Sequence, residues 1–393
     1  VTLTEVIVDG SPPRRVRLSE RPVGWGGQGR VFSVPEDPGL AIKVYVDPPA
    51  SIERRLRRMI ERAGPDAFVT GGAHPELVWP LALALDPSGD RVVGYAMRLV
   101  SSPAFVPLAT LFDHRQRVRW FPDMTWRFPL VATRNFSGVV ANLHAEGLVL
   151  GDLSDGNVMV NQSALLTFLD CDSIQFDDRV TGEHFACTVG TPNYAAPEFQ
   201  FNDAWPRSID TDVFSLAILV CQTALLGDHA FLGIGVDAGE NEVSVADNIR
   251  EGRSYLVAPD RVRTPPGTLD PAILPPDVRA LAVQAFGPGI ATPSLRPSAE
   301  DWALALDRAC QSLVQCPREP LHVHGPHLDR CPWCERTRNG LPDPFAKPRT
   351  DRTTTSRPLA PASSTAIAKR SSVSPATIAL TVLIVVIVIA LLL

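Results

Sequence analysis

Positive charge is what this sequence is short of: 37 Lys and Arg stand against 43 Asp and Glu, for a net charge of −6. The stretch 335–375 alone holds eight Lys/Arg against three Asp/Glu. The rest of the chain is therefore acidic, and no nucleic-acid partner is expected. Export features are also missing: VTLTEVIVDGSPPRRVRL is charged throughout and has no small-residue cleavage pattern after an apolar run, so the folded part is expected to stay in the cytoplasm. Cysteines are few and odd in number, seven in 393 residues, which without an export signal points to burial or metal rather than disulfides. Cys171, Cys187, Cys221 and Cys310 have no partner spacing and read as small buried hydrophobes. An apolar share of 45% excludes a disordered chain and suits one large or two medium cores.

The last 18 residues, ATIALTVLIVVIVIALLL (376–393), are apolar and uncharged. As a helix they would reach about 27 Å, close to the thickness of a bilayer core. Lys369 and Arg370 precede them, as on a cytoplasmic side. The expectation is a single-pass C-terminal transmembrane helix that anchors a cytoplasmic body to the cell membrane. Residues 338–375, rich in Pro, Ser, Thr and Arg, read as a disordered basic linker favouring an anionic membrane face.

Near the start, GWGGQGRVF sets Gly24, Gly26 and Gly29 in a G-x-G-x-x-G pattern with Val31 two further on, and LAIKVYV follows with Ala41 and Lys43. Dinucleotide folds open a helix after such glycines. Here Val31, Phe32 and Val34 follow instead, then a turn and another apolar strand, and no Gly-Lys-Ser/Thr closes a Walker loop. A glycine-rich hairpin can lay backbone N–H groups over phosphates, with a lysine on the next strand as a point charge. SIERRLRRMIERAG (51–64) predicts a helix with Ser51 as N-cap and Ile52, Leu56, Met59 and Ile60 on one face. Glu53 borders that stripe while Glu61 points nearly opposite, so Glu53 is the expected partner of Lys43; a solvated surface glutamate is the competing reading.

LGDLSDGNVMV places Asp152 five residues before Asn157, LLTFLDCDSIQF ends an apolar strand on Asp170, and VGTPNYAAPEF runs to Glu198. With the glycine-rich loop and the strand lysine, this ordered set resembles the protein kinases. DTDVFSLAILVCQTALLGDHAF resembles the buried helix after the activation segment, with Asp212 at its acidic position. Arg296 resembles the arginine that pairs with the A-P-E glutamate. DCDSIQF, VGTPNYAAPEFQ and CPWCE are similar to one bacterial branch of eukaryotic-like kinases, the YegI-type kinase-like family. Some members carry a helix-hairpin-helix module for DNA; none is visible here, and DNA binding is not carried over.

The resemblance covers about 18–310 and implies an α+β, bilobal kinase-like fold with a small β-rich N-lobe and a mostly helical C-lobe. It implies ATP with Mg²⁺ or Mn²⁺: Asp152 as base, Asn157 and Asp170 as metal ligands, and Lys43 on the phosphates. It also implies transfer to Ser or Thr of protein substrates, autophosphorylation included, with a phosphatase or a von Willebrand-type adaptor as pathway neighbour. Departures bear on activity. Leu150 and Gly151 stand where most kinases have His and Arg, so a phosphorylated activation loop loses its usual anchor, although Thr181, Thr188 and Thr191 are hydroxyls in that segment. Ser154 replaces a lysine near the transferring phosphate. Asp170-Cys171-Asp172 replaces D-F-G, and Asp172 either restricts the loop or offers metal another carboxylate. A nucleotide-binding pseudokinase scaffold is thus the alternative; a small-molecule phosphotransferase of the aminoglycoside-kinase kind fits poorly, because that class lacks an A-P-E segment.

Downstream, CPREPLHVHGPHLDRCPWCE holds Cys316, the C-x-x-C pair Cys331 and Cys334, and His322, His324 and His327. These are ligands suited to tetrahedral Zn²⁺. His322 is the expected fourth ligand, with His324 as substitute, in a zinc knuckle over 311–337. Redox chemistry at C-P-W-C is the competing reading, but no thioredoxin-like βαβ pattern precedes it.

Overall fold

The computed structural model describes residues 3–63, 68–70, 74–202, 205–236 and 243–345. Among these residues no helix is long and apolar enough to cross a membrane. The expected anchor at 376–393, and the expected linker beyond residue 345, lie outside the described residues.

The N-terminal half is built on strands β1 (Glu5–Val8), β2 (Arg14–Arg17), β3 (Gly24–Trp25), β4 (Gly29–Val34), β5 (Asp37–Tyr45), β6 (Ala82–Leu85) and β7 (Val92–Arg98). They form one antiparallel sheet in the order β2-β1-β6-β7-β5-β4-β3. The β1–β2 hairpin lies upstream of the expected start at residue 18 and joins the sheet edge through β6. Alternation explains its place: Val6 and Val16 are buried while Arg15 and Arg17 face water. Helix α1 (Ile52–Arg62) buries Ile52, Leu56 and Met59 as its periodicity predicts. Ser51, however, sits in helical conformation and caps nothing with its side chain, so the expected N-cap is corrected.

The second half is helical. Helix α2 (Arg127–Ala145) leads to the short strands β8 (Val158–Asn161) and β9 (Leu166–Phe168), which pair antiparallel and carry the loops of interest at their ends. The activation segment contains the small hairpin β10 (Phe176–Asp177) and β11 (His184–Phe185), and ends at helix α3 (Pro197–Phe201). Helix α4 (Ile209–Ala224) is apolar on nearly every side and buried on nearly every side, as expected of a helix at the centre of a lobe. Ser208 and Thr211 form a reciprocal capping box at its N-terminus. Helix α5 (Ala299–Ser312) packs across α2.

Two buried contacts pin the activation segment to this helical core. Arg296 donates to both oxygens of Glu198, each at 2.8 Å, while its guanidinium lies 4.9 Å from the Phe214 ring centroid and also reaches the carbonyls of Gly289 and Asp210. His229 accepts from the Phe231 N–H at Nδ1 (3.1 Å), which leaves Nε2 to donate to the Asn193 carbonyl at 3.0 Å. Burial pushes the His229 imidazole down to about 4.

Arg296→Ala should therefore lower unfolding free energy by about 3–5 kcal/mol, because Glu198 stays buried without its partner; a chemical-denaturation loss below about 1 kcal/mol would contradict this. The His229 contribution has a defined sign. The unfolded ring takes up a proton near 6.5 and the folded ring resists until about 4, so this contribution is complete above 6.5 and is lost as pH falls through that window. Urea midpoints at pH 7 and pH 5 should differ less in His229→Gln than in the wild type, the gap corresponding to at most about 2 kcal/mol.

Candidate active site

The glycine-rich turn between β3 and β4 closes with the Gly26 N–H on the Gly29 carbonyl at 3.0 Å. Gly29 is demanded by the sheet, since a Cβ there would lie 2.6 Å from the Val44 oxygen. Gly24 and Gly26 are not: a Cβ would meet only the Val31 side chain at 3.7 Å in the first case and nothing within 4 Å in the second. Their missing side chains leave open space where a phosphate could approach the backbone. Val31 and Ala41 join an apolar cluster with Met97, Leu99 and Leu169, which links the sheet to the loop bearing Asp170.

Lys43 faces its cross-strand partner Tyr95 on β7 and is only 3% exposed. Its Nζ donates to Asp172 at 2.8 and 3.1 Å and to Asp170 at 3.2 Å. Burial alone would lower the lysine's pKa, but the facing Asp172 and Asp170 outweigh it and hold the group above its ordinary value. Tyr45 and Tyr95 donate to the same Asp172 carboxylate at 2.7 and 2.9 Å. With both oxygens engaged by three donor groups, Asp172 has no capacity left for a metal and restricts the loop instead.

Glu53 is not the partner of Lys43, and that expectation is corrected. It bonds Arg57 at 2.9 Å on the outer side of α1, with its side chain 50% exposed. Two residues along a helix turn the face by about 200°, and the residue that faces the loop is Arg55. Its guanidinium donates to the carbonyls of Asp172 (2.7 Å), Ser173 (3.0 Å), Ile174 (2.5 Å) and Ala186 (3.0 Å).

On the facing lobe, Asp212 is 1% exposed and accepts from the N–H groups of Leu150 (2.6 Å) and Gly151 (2.8 Å), with His144 Nε2 at 3.1 Å. That carboxylate shapes the loop carrying Asp152. Gly151 has φ +77°, and a Cβ there would fall 2.5 Å from the Cys187 sulfur. A side chain at this position has neither the backbone conformation nor the room. Arg207 fills part of the gap, donating to the Val189 carbonyl at 2.8 Å and stacking 3.7 Å from the Phe199 ring centroid.

Asn157 donates through Nδ2 to the Asp152 carbonyl (2.9 Å) and carboxylate (3.0 Å), and the Thr191 hydroxyl donates to the other carboxylate oxygen at 2.8 Å. Asn157 thereby keeps its Oδ1 for another partner. The Leu169 N–H bonds the Asn157 carbonyl at 2.8 Å, joining the two loops, and Asp170 follows in left-handed conformation (φ 51°) with its side chain 46% exposed. Asp152, Asn157, Asp170 and Lys43 are thus one connected constellation. Ser154 is buried and brings no charge. Of the three activation-segment threonines, Thr191 is held by Asp152 and Thr181 by Asp178, while Thr188 is exposed. A cavity of about 550 Å³ beside the glycine turn is lined by Gly27, Gln28, Arg54, Arg55, Asp172 and Thr188 among others, and lies on the α1 side rather than over Asp152.

Cys316, His322, Cys331 and Cys334 converge with all ligand atoms within 4.8 Å of one another. His322 Nδ1 lies 3.6 and 3.5 Å from the sulfurs of Cys331 and Cys334, and its Nε2 bonds Asp343 at 3.0 Å, which orients the ring as a second-layer carboxylate does at metal sites. His324 bonds the Gly325 carbonyl through Nδ1 and is not one of the converging four, and His327 Nε2 bonds the Ala272 carbonyl. Although burial would raise it, backbone N–H groups of Arg318 and Glu319 bring the Cys316 thiol down to about 7. Trp333, between the paired cysteines, is fully buried against Trp126 and Phe345. The cluster therefore shares the core of the helical half.

Asp172, Arg55, Tyr45, Tyr95 and Arg207 were not assigned these contacts from sequence. Tyr45 carried a signal, since it stands two residues from Lys43 on the same face of a strand; the others are brought in by folding.

No protein-family model matches the chain. Protein kinase YegI of Escherichia coli O157:H7 and protein kinase YegI of Escherichia coli strain K12 are each 29% identical to it over 340 residues, which covers 82% of this chain and 49% of the relative. The chain spans about half the length of the curated relatives it matches. Over most of its length the chain is thus similar to proteins named as YegI kinases.

Proposed function

We propose that the protein is an ATP-dependent protein kinase that transfers the γ-phosphoryl group to Ser or Thr hydroxyls of protein substrates, autophosphorylation included. The observation that carries this reading is the Asp152–Asn157 pair lying next to the Asp170–Lys43 pair, with the Leu169–Asn157 bond between their loops. Bound ATP with a divalent cation supplies an electrophilic phosphorus: the acceptor oxygen bonds to it, the bond to the β,γ-bridging oxygen breaks, and ADP leaves. Asp152, oriented by Asn157 and Thr191, takes the acceptor proton at its carboxylate. Asn157 Oδ1 and the half-exposed Asp170 carboxylate hold Mg²⁺ or Mn²⁺ as hard oxygen ligands. Lys43 holds phosphate oxygens, and the open backbone at Gly24 and Gly26 receives them.

The Cys316, His322, Cys331 and Cys334 set takes structural Zn²⁺, since it offers three sulfurs, one nitrogen and a carboxylate behind the histidine. The apolar segment 376–393 tethers the domain to the cytoplasmic face of the membrane. A phosphatase or adaptor is a neighbour by family resemblance alone. A second reading, a nucleotide-binding membrane scaffold without transfer, is favoured by Ser154, which leaves the base loop without the usual cation.

Incubation with γ-labelled ATP and Mg²⁺ or Mn²⁺ should label the protein or a generic acceptor, and Asp152→Ala and Lys43→Ala should abolish the label. No label with either metal, together with a nucleotide-induced rise in melting temperature, would select the scaffold. Chelation should lower the melting temperature, because the metal-bound segment carries Trp333 into the core. Added Zn²⁺ should restore it in the wild type and fail to do so in Cys334→Ser; a chelator-insensitive melt of zinc-loaded protein would refute the metal assignment.

A further inference from the structure

Helix α1 carries no acid bonded to Lys43, and the carboxylate that does hold it stands two residues after Asp170. We propose that Asp172 is the positioning residue for Lys43, setting the ammonium toward the phosphates from the metal-holding loop itself in place of an acid on α1. The task of the lysine rests on the phosphotransfer reading above; the assignment of its holder rests on geometry.

Asp172 is 4% exposed, and three side chains from the sheet converge on it: Lys43 and Tyr45 from one face of β5, and Tyr95 from the paired position on β7. The loop is held from behind by Arg55, whose planar fork serves four backbone carbonyls on both sides of the activation segment. A lysine at position 55 could not match that set of acceptors. Cys171, between the two aspartates, is fully buried and anchors the turn. Two consequences follow. Lys43 and Asp170 are placed by one rigid element, so the phosphate-holding and metal-holding groups keep a common register. Helix α1 acts on the Lys43 ammonium through Arg55, the loop backbone and Asp172, and not by a hydrogen bond of its own.

The groups facing Lys43 are Asp170 and Asp172 from the loop, Tyr45 on its own strand and Tyr95 on β7, with Arg55 of α1 beyond Asp172. Without the Asp172 carboxylate the ammonium keeps only the half-exposed Asp170, at 3.2 Å, and is no longer fixed from the buried side.

The chain has only three lysines, Lys43, Lys347 and Lys369, so lysine-labelled protein gives few signals by NMR, and loss of one in Lys43→Arg identifies that of Lys43. Exchange of the Lys43 ammonium protons with water is followed at one pH in the full chain as wild type, Asp172→Asn, Asp172→Glu and Glu53→Gln, and ATP KM and kcat are measured on the same proteins. Asp172→Asn should speed that exchange and reduce kcat/KM for ATP, each by about tenfold or more. Asp172→Glu should recover part of both, and Glu53→Gln should change neither. Unchanged ammonium exchange at Lys43 in folded Asp172→Asn, or an equal change in Glu53→Gln, would overturn the proposal. Absence of phosphate transfer in the wild type would remove the kinase reading, while the exchange measurement would still decide whether Asp172 holds Lys43.

Discussion

An ammonium group taken almost entirely out of water persists only where carboxylates meet it, and the cleft between the two halves is organised by that requirement at Lys43. It is the single lysine in the first 346 residues of a chain that otherwise uses arginine. Its partner Asp172 must be buried as well, and a buried carboxylate in turn needs its own donors. Two tyrosine hydroxyls supply them. The loop that presents Asp172 also presents Asp170 in left-handed conformation, and the same loop bonds the backbone of Asn157. Desolvation of one cation thus propagates into the placement of the groups assigned to metal and base.

Arginines do the complementary work of holding backbone. Arg55 grips the loop after Asp170, Arg296 ties Glu198 to the helical core, and Arg207 bonds the segment beside Gly151. Arg62 lies 5.7 Å from the Phe176 ring centroid and donates to the Asp177 carbonyl, joining α1 to the β10–β11 hairpin. The activation segment therefore has fixed contacts that require no phosphate. Exposed pairs such as Arg54–Glu183 add little individually; the partly buried forks on carbonyls carry the arrangement, because each replaces several hydrogen bonds that water would otherwise make.

The Cys/His segment belongs to the same economy of burial. It is too short to bury a core of its own, and the structure inserts Trp333 and Phe345 beside Trp126, while Arg117 reaches the carbonyl of Pro344. Phe345 lies within the first residues of what composition alone marks as a disordered linker. Its burial shows that a low-apolar stretch can contribute one anchoring ring without forming an element.

Local pattern determined much of this protein. The strand–glycine turn–strand–lysine order, the α1 stripe, the buried α4 run, the Asp152/Asn157/Asp170 spacing and the four candidate metal ligands are all legible in the sequence, because period, turn chemistry and ligand type are properties of short segments. Glu53 was misread for the same reason: helix periodicity places a residue beside a stripe but does not say which neighbouring loop that side faces. The choice of Asp172 over Glu53, the insertion of Arg55 and Arg207, the displacement of any side chain at Gly151 by Cys187, and the docking of Trp333 were decided only by tertiary structure. Each depends on the distance between segments far apart in the chain, and burial there sets which charge must meet which partner.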